Sequence, residues 1–425
     1  MTRERCFWLG LAVLVVTGVL LIYGRVLHLG WAHHDDLSIL TNVEENPWYL
    51  PGKAAGLPPV VWSPAGVFRP MQFLPFKVSS MLWGRNPLPL HLFSLLLHAA
   101  NALLLSWLLW RLTGNYGVAV ASSLLFVARV NGQAVGWIGA NADAICLFFL
   151  LLCVHSLVLV WRGRLAFLVP ALLCFLLALA SKEPPVVLPV LVTVGVFFGS
   201  RLTRSRKVLV CGLFWLCLVG FWLLRSHLGA RLTGQPSWYW RHPTGMARFY
   251  FDYLVPHLYM FFCLWWRMPL SAFKYYFLGP VCALTSVGLL LAGVLTQGLN
   301  WQPLLKRTGY LLFALVLGVV CYLYLFQLGS RVYLPLHFWV SVAFLVLALT
   351  GRWRGLGWLA AGWAVLFAMP VAPFFFLSHG ASRFFYLPDV GKVALAALVS
   401  QRYGGYWRWV VPAVFAGYVF SHSYG

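Results

Sequence analysis

The chain has 425 residues, of which 61% are hydrophobic and only 9% charged, and its mean hydropathy is +0.82. Soluble proteins carry about 25% charged residues, so a soluble globular domain is excluded. A net charge of +22 would suit nucleic acid, but in so apolar a chain basic loops and lipid headgroups account for it, and no nucleic-acid partner is expected.

Runs of about 20 apolar residues recur along the whole length, which predicts an all-α, polytopic membrane protein. Strand alternation is lacking, which argues against a barrel. The first run, residues 6–27, is too long for a signal-peptide core and is read as a retained helix, with Arg3 and Arg5 keeping its start in the cytoplasm. Residues 28–88 are aromatic and broken by Pro47, Pro58, Pro59 and Pro70. They are too apolar for disorder and too interrupted to span, so short helices on the outer membrane face are expected.

A second span is predicted over 90–110. Its His91, His98 and Asn101 are spaced by seven and three, which places them on one helix face. Arg111 closes it on the inner side. A span over 116–129, an outer loop over 130–141 and a span opening near Asp143 follow. Arg162 and Arg164 mark an inner turn. The next span, 165–180, meets Ser181-Lys182-Glu183 and then Pro184 and Pro185, which open another helix. Arg201, Arg204, Arg206 and Lys207 form a strongly basic inner loop before a span over 208–224.

A second larger outer loop is expected over 225–248. Spans or re-entrant segments follow at 249–266 and 277–295. If both cross, Lys306, Arg307, Arg352 and Arg354 lie outside; if one is re-entrant they lie inside, as charge bias prefers. Further spans are read at 310–326, 336–347, 356–376 and 410–420, giving 11 to 13 in a single domain. The nine cysteines all fall in or beside apolar runs, with no metal-ligand spacing, and are read as small core residues.

On this topology the few acids sort to one side. Asp35, Asp36, Glu44, Glu45, Asp143, Glu183 and Asp389 all lie at outer loops or outer helix ends, Asp252 falls in the ambiguous segment 249–266, and Glu4 alone is inside. Insertion rules depend little on acids, so an outward-facing polar site is the better account. Its centre is His33-His34-Asp35-Asp36, where the first span meets water. Adjacent carboxylates repel, which raises the proton affinity of one of them and suits a general base. The alternative is an Asp pair capping a short surface helix.

Several pieces then follow in order: His34-Asp35-Asp36, Asn46-Pro47, Phe68-Arg69-Pro70, Asn86-Pro87 with His91, and His98 with Asn101. After these come Ala134-Val-Gly-Trp-Ile138 with Asp143, Ser181-Lys182-Glu183, and an Arg-aromatic-Tyr-Leu-Pro element at Arg383 to Pro388, shortened by one residue at Arg331 to Pro335. This series resembles the GT-C superfamily of integral-membrane glycosyltransferases. Within it, the branch of the protein O-mannosyltransferases and the membrane domains of tetratricopeptide-containing mannosyltransferases is most similar. The likeness is close over roughly the first 190 residues and looser beyond. It departs at Ala128-Arg129 and Gln133, where relatives often carry His-Pro and Glu, and no tetratricopeptide domain follows.

The resemblance implies a GT-C-like bundle whose active site is extracytoplasmic. It also implies transfer, usually with inversion, of a sugar from a polyprenyl-phosphate donor. An acid of the first outer loop, Asp35 or Asp36, would activate the acceptor; Asp35 is the first choice as base, with Asp36 orienting it or the acceptor. The departing lipid phosphate needs fixed cations, and Lys182, Arg383, Arg331 and Arg69 are the candidates at outer helix ends. Headgroup snorkelling is the competing account of each Arg, and a structural ion pair that of Lys182-Glu183.

His34, His91, His98, Asn101, Asp143, Glu183 and Tyr386 complete the expected substrate-binding set. Interhelical hydrogen bonding is the alternative for His91, His98 and Asn101. No metal site is assigned, although His34, Asp35 and Asp36 could hold a divalent cation. The expected acceptor is a glycan, a lipid or a surface protein such as a pilin, in a plasma membrane of bacterial type. The rival functions are a transporter or flippase of lipid-linked or small polar substrates, or a lipid-linked glycan ligase or polymerase. A transporter predicts charges near the bilayer midplane and paired broken helices, whereas these charges gather at one face.

Overall fold

A computed structural model describes residues 2–31, 34–45, 68–128, 132–200, 202–227, 353–368 and 386–402, and the regular elements among them are helical. The described helices are numbered in chain order. Helix α1, Arg3–Tyr23, opens on Thr2, whose hydroxyl accepts from the Arg5 backbone N–H, and carries Glu4 in its first turn. It tightens into a 3-10 turn, Gly24–His28.

The 28–88 segment contains two of the expected short helices, α2 (His34–Glu45) and α3 (Pro70–Trp83). Pro70 stands at the first position of α3, where its missing N–H costs nothing. Ile39, Leu40 and Val43 of α2 meet Phe73 and Phe76 of α3 in a small core closed by Leu90 and Ile138. The buried Lys77 ammonium of α3 donates to the Val43 carbonyl.

Helices α4 (Leu88–Thr113) and α5 (Tyr116–Ala128) form a tight hairpin. Gly114, at φ 68°, ends the first. Asn115 Oδ1 starts the second by accepting from the backbone N–H groups of Gly117 and Val118 at 2.7 and 3.2 Å. A short α6 (Gly132–Gly136) and a 3-10 turn (Ile138–Ala140) lead to α7 (Asn141–Trp161). Gly163, at φ 90°, turns the chain into a 3-10 turn (Leu165–Phe167) and α8 (Leu168–Leu179). The paired prolines open a 3-10 turn (Pro184–Val187) that runs into α9 (Leu188–Gly199), and α10 covers Arg204–His227.

Helices α11 (Arg354–Ala368) and α12 (Tyr386–Arg402) pack closely on each other, and α12 also lies against α5 and α7. No helix was expected over α12, because Asp389, Gly391 and Lys392 interrupt its apolar run. The structure makes it one of the most buried helices. Gly391 allows this: a Cβ there would come within 2.2 Å of the Ala360 carbonyl oxygen on α11.

Arg3–His28, Leu88–Thr113, Ile138–Trp161 and Arg204–His227 are long and apolar enough to cross a membrane, and by length and composition they mark a membrane protein. Leu88–Thr113 and Ile138–Trp161 are central and mostly buried. Arg3–His28 and Arg204–His227 leave most of their apolar surface exposed, as helices facing lipid do. The expected elements at 249–266, 277–295, 310–326, 336–347 and 410–420 lie outside the described residues.

The helices alternate in direction, so the bundle has two distinct ends. Phe7 at the start of α1 lies against Tyr116 at the start of α5, and Trp8 lies against Trp110 near the end of α4. Arg3, Arg5, Arg111, Arg162, Arg164, Arg204, Arg206 and Lys207 belong to this basic end. The opposite, acidic end holds α2, α3, residues 132–143, residues 180–183 and the end of α10.

Candidate functional site

Asp36 is fully buried at the acidic end. Its Oδ1 accepts from the Trp137 indole N–H at 2.8 Å and from the Gly139 backbone N–H at 2.7 Å. The motif Ala134 to Ile138 is therefore the clamp for the first-loop carboxylate. Gly139 is part of the clamp for a steric reason, since a Cβ on it would lie 2.7 Å from Asp36 Oδ1. The Gly139 carbonyl accepts from Gln72 Nε2 at 2.7 Å. Helix α3 is tied in turn to the end of α8 by the Met71 N–H, which donates to the Ala180 carbonyl at 3.2 Å. Asp35 sits one residue earlier on the first turn of α2. The side chains of His34 and Asp35 lie outside the described residues.

Beside this clamp stand two charge clusters. Lys182 Nζ donates to both oxygens of Asp143 at 2.5 Å, and both side chains are buried. Glu183 takes two guanidiniums. Arg69 holds it through Nη2 at 2.6 Å and Nε at 3.1 and 3.2 Å, and Arg225 Nη2 reaches it at 3.1 Å. Burial pushes the Glu183 carboxyl up, but the fields of Arg69 and Arg225 and the Arg69 hydrogen bonds outweigh burial and hold it down at about 2. Burial works against the Arg69 charge, and Glu183 more than offsets it, so this guanidinium is held above its ordinary value.

Lys182 and Arg69, two of the four expected phosphate-binding cations, are thus each engaged by a carboxylate. Arg331 and Arg383 lie outside the described residues. Lys182 pairs with Asp143, and Arg69 and Arg225 share Glu183. Of the two accounts of Lys182-Glu183, an ion pair between these neighbours is not formed: each pairs with a partner on another segment.

The polar stripe of α4 divides between two contacts. His91 approaches the Gly30 carbonyl oxygen at 3.4 Å. His98 Nδ1 lies 2.8 Å from the Tyr386 hydroxyl, and Asn101 Nδ2 donates to that hydroxyl at 3.3 Å and to the Ala144 carbonyl at 2.9 Å. Tyr386, the tyrosine of the Arg-aromatic-Tyr-Leu-Pro element, is fully buried against Phe126. These three residues therefore join α4, α7 and α12 by hydrogen bonds inside the bundle. On the rim, Glu44 pairs with Arg85 at 2.7 Å.

Among the described residues no three His, Cys, Asp or Glu side chains gather as a metal site would require, and the described cysteines, Cys6, Cys146, Cys153, Cys174, Cys211 and Cys217, are free thiols. Trp137, Gly139, Gln72 and Arg225 were not among the expected site residues. Trp137 lay inside a quoted motif, and Arg225 at the start of an expected outer loop, but nothing local assigned their partners.

Comparison of the chain with known protein families, with curated proteins and with solved structures finds no match.

Proposed function

We propose that the chain is a GT-C-type membrane glycosyltransferase that moves a sugar from a polyprenyl-phosphate donor to an acceptor hydroxyl on the extracytoplasmic face. The observation that carries this reading is the Asp36 clamp. It joins the first-loop acid pair to the Trp137 segment across about a hundred residues, beside a cluster that holds the cations Arg69, Lys182 and Arg225. Positive residues concentrate at cytoplasmic loops, so the basic end is assigned inside and the acidic end outside.

In this reading Asp35 is the general base. Asp36, buried and committed through Oδ1 to two donors, fixes the start of α2 and hence the direction of its neighbour. Asp35 takes the acceptor hydroxyl proton as the acceptor oxygen attacks the anomeric carbon from the face opposite the phosphate. The bond from that carbon to the phosphate oxygen breaks, and the lipid phosphate departs as an anion. Arg69, Lys182 and Arg225, together with Arg331 and Arg383, stabilise that anion. The acceptor is a glycan, a lipid or a surface protein.

The test uses purified protein with a panel of polyprenyl-phosphate sugars and follows release of polyprenyl phosphate. Release that depends on a hydroxyl acceptor is expected. A protein that binds no polyprenyl phosphate and releases none from any donor would sink the reading. Labelling of single-Cys variants near Ser38 and Ser382 tests sidedness, since reaction only from the cytoplasm contradicts the assignment.

A further inference from the structure

Three arginines cluster at the basic end, far from the proposed catalytic site. Arg111 ends the last full turn of α4. Arg162 and Arg164 flank Gly163, whose left-handed backbone makes the α7–α8 turn tight enough to carry both. Arg162 Nη2 donates to the Arg111 carbonyl at 3.0 Å, which locks the turn against the end of α4.

The Arg111 side chain is itself held in place. It lies over the Trp107 ring at 5.3 Å, and its Nη1 is 3.2 Å from His155 Nδ1. His155 Nε2 is 2.9 Å from the Leu104 carbonyl oxygen. A guanidinium and a carbonyl on its two nitrogens require a neutral ring that accepts at Nδ1 and donates at Nε2. His155 therefore offers Arg111 a dipole and no negative charge.

Among the described residues no carboxylate pairs with any of the three arginines. They repel one another, and holding them together costs stability unless an anion joins them. A second observation sets their depth. Phe7, Trp8, Trp110 and Tyr116 form a continuous aromatic group at the same end, and Trp107 and Tyr116 are substantially exposed. Such a girdle sits at the lipid headgroup level.

We propose that Arg111, Arg162 and Arg164 form a specific site for the phosphodiester headgroup of an anionic phospholipid, whose acyl chains lie along the exposed apolar surface of α8. Guanidinium pairs match phosphate geometry, and Val169 and Leu173 of α8 stand exposed just beyond the turn. The site is independent of the sugar-transfer reading.

The test is native mass spectrometry of the protein purified in mild detergent, with phosphatidylglycerol and phosphatidylcholine of matched chains. The wild-type chain should keep one phosphatidylglycerol under washing that strips phosphatidylcholine. R162Q/R164Q removes two exposed side chains and should weaken retention about 30-fold, at about 1 kcal/mol per charge. R204Q/R206Q removes the same charge elsewhere on the basic end and should keep the lipid. Equal loss in both variants means diffuse headgroup attraction and overturns the site. So does a wild-type chain that retains no phosphatidylglycerol. Soluble glycerol phosphate should not displace the lipid at millimolar concentration; displacement would assign the site to a free phosphate instead. Thermal unfolding of each variant confirms that it is folded when scored, and Arg111→Lys supplies a folded alternative should R162Q/R164Q unfold, with weakened retention expected and full retention overturning the site.

Discussion

The Gly139 backbone N–H donates to Asp36 Oδ1 at 2.7 Å, and the Cα that carries no side chain there is what lets the carboxylate approach. Gly139→Ala would place a methyl group 2.7 Å from that oxygen. The carboxylate must move, and the first turn of α2 moves with it. The melting temperature should fall, because the crowded carboxylate is buried and held by two donors. In the sugar-transfer reading, transfer should fall by up to about 10²-fold, the cost of misplacing a reacting group by an ångström. Trp137→Phe, which removes one donor and keeps the ring, should fall less. Full activity in both variants would mean that Asp36 placement is irrelevant.

The buried pair of Lys182 and Asp143 predicts a strongly non-additive result. Asp143→Asn takes the Asp143 carboxylate away from the Lys182 ammonium, and breaking a buried pair typically costs about 3–5 kcal/mol. Asp143→Leu with Lys182→Met removes both charges and should recover most of that stability. Unfolding in detergent, followed by intrinsic tryptophan fluorescence, gives the cycle. Additive effects would show that the two charges do not depend on each other. In the sugar-transfer reading the double variant should be stable yet poor at binding donor phosphate.

How much of this was legible beforehand differs between its parts. The short helices α2 and α3 were readable because Pro70 and the surrounding prolines break a segment too apolar to be loop. The stripe of His91, His98 and Asn101 was readable from helical spacing, but its partner Tyr386 lies almost 300 residues away and no local pattern points to it. The Asp36 clamp has the same difficulty: a carboxylate shows that it needs donors, not which ones. Helix α12 was hidden because Gly391 and Asp389 depress its hydropathy. Those residues serve close packing and the helix start, which a count of apolar residues does not weigh. Glu183 was legible as a charge at a helix edge, while the cations that fix it, Arg69 and Arg225, come from two other segments.

Stability should depend on pH through Glu183. Its carboxyl titrates near 2 in the folded chain, against an ordinary value of 4.5. A depressed folded value means that the stabilisation is fully present above 4.5 and disappears as pH falls from there through about 2. The melting temperature should decline across that window in the wild-type chain. Glu183→Gln should be less stable at neutral pH, because Arg69 and Arg225 lose the Glu183 carboxylate, and should lose that part of the decline. An identical pH profile in the variant would show that the Arg69–Glu183–Arg225 cluster contributes nothing to the acid limb.

The decisive chemical prediction concerns Asp35. Asp35→Asn keeps the size and most of the hydrogen bonding of the side chain, but its amide cannot accept the acceptor's proton. Loss of a general base typically costs about 10²–10⁴ in rate. In the sugar-transfer reading the variant should insert, fold and bind lipid donor nearly as the wild type does, because that reading rests donor binding on the cations near Lys182 and Arg69. Asp36→Asn is a different experiment. It turns a buried acceptor of two hydrogen bonds into a group that can present an N–H to the Trp137 indole. Part of its effect should therefore appear as lowered stability, and part as misplacement of Asp35. The two variants separate when transfer, donor binding and thermal unfolding are measured on the same preparations. Asp35→Asn should lose transfer alone, and Asp36→Asn should lose some of both transfer and stability. Near-normal transfer by Asp35→Asn would remove it as the base. Complete loss in Asp36→Asn with donor binding and stability intact would move the base by one residue, to a carboxylate that must then leave its clamp during turnover.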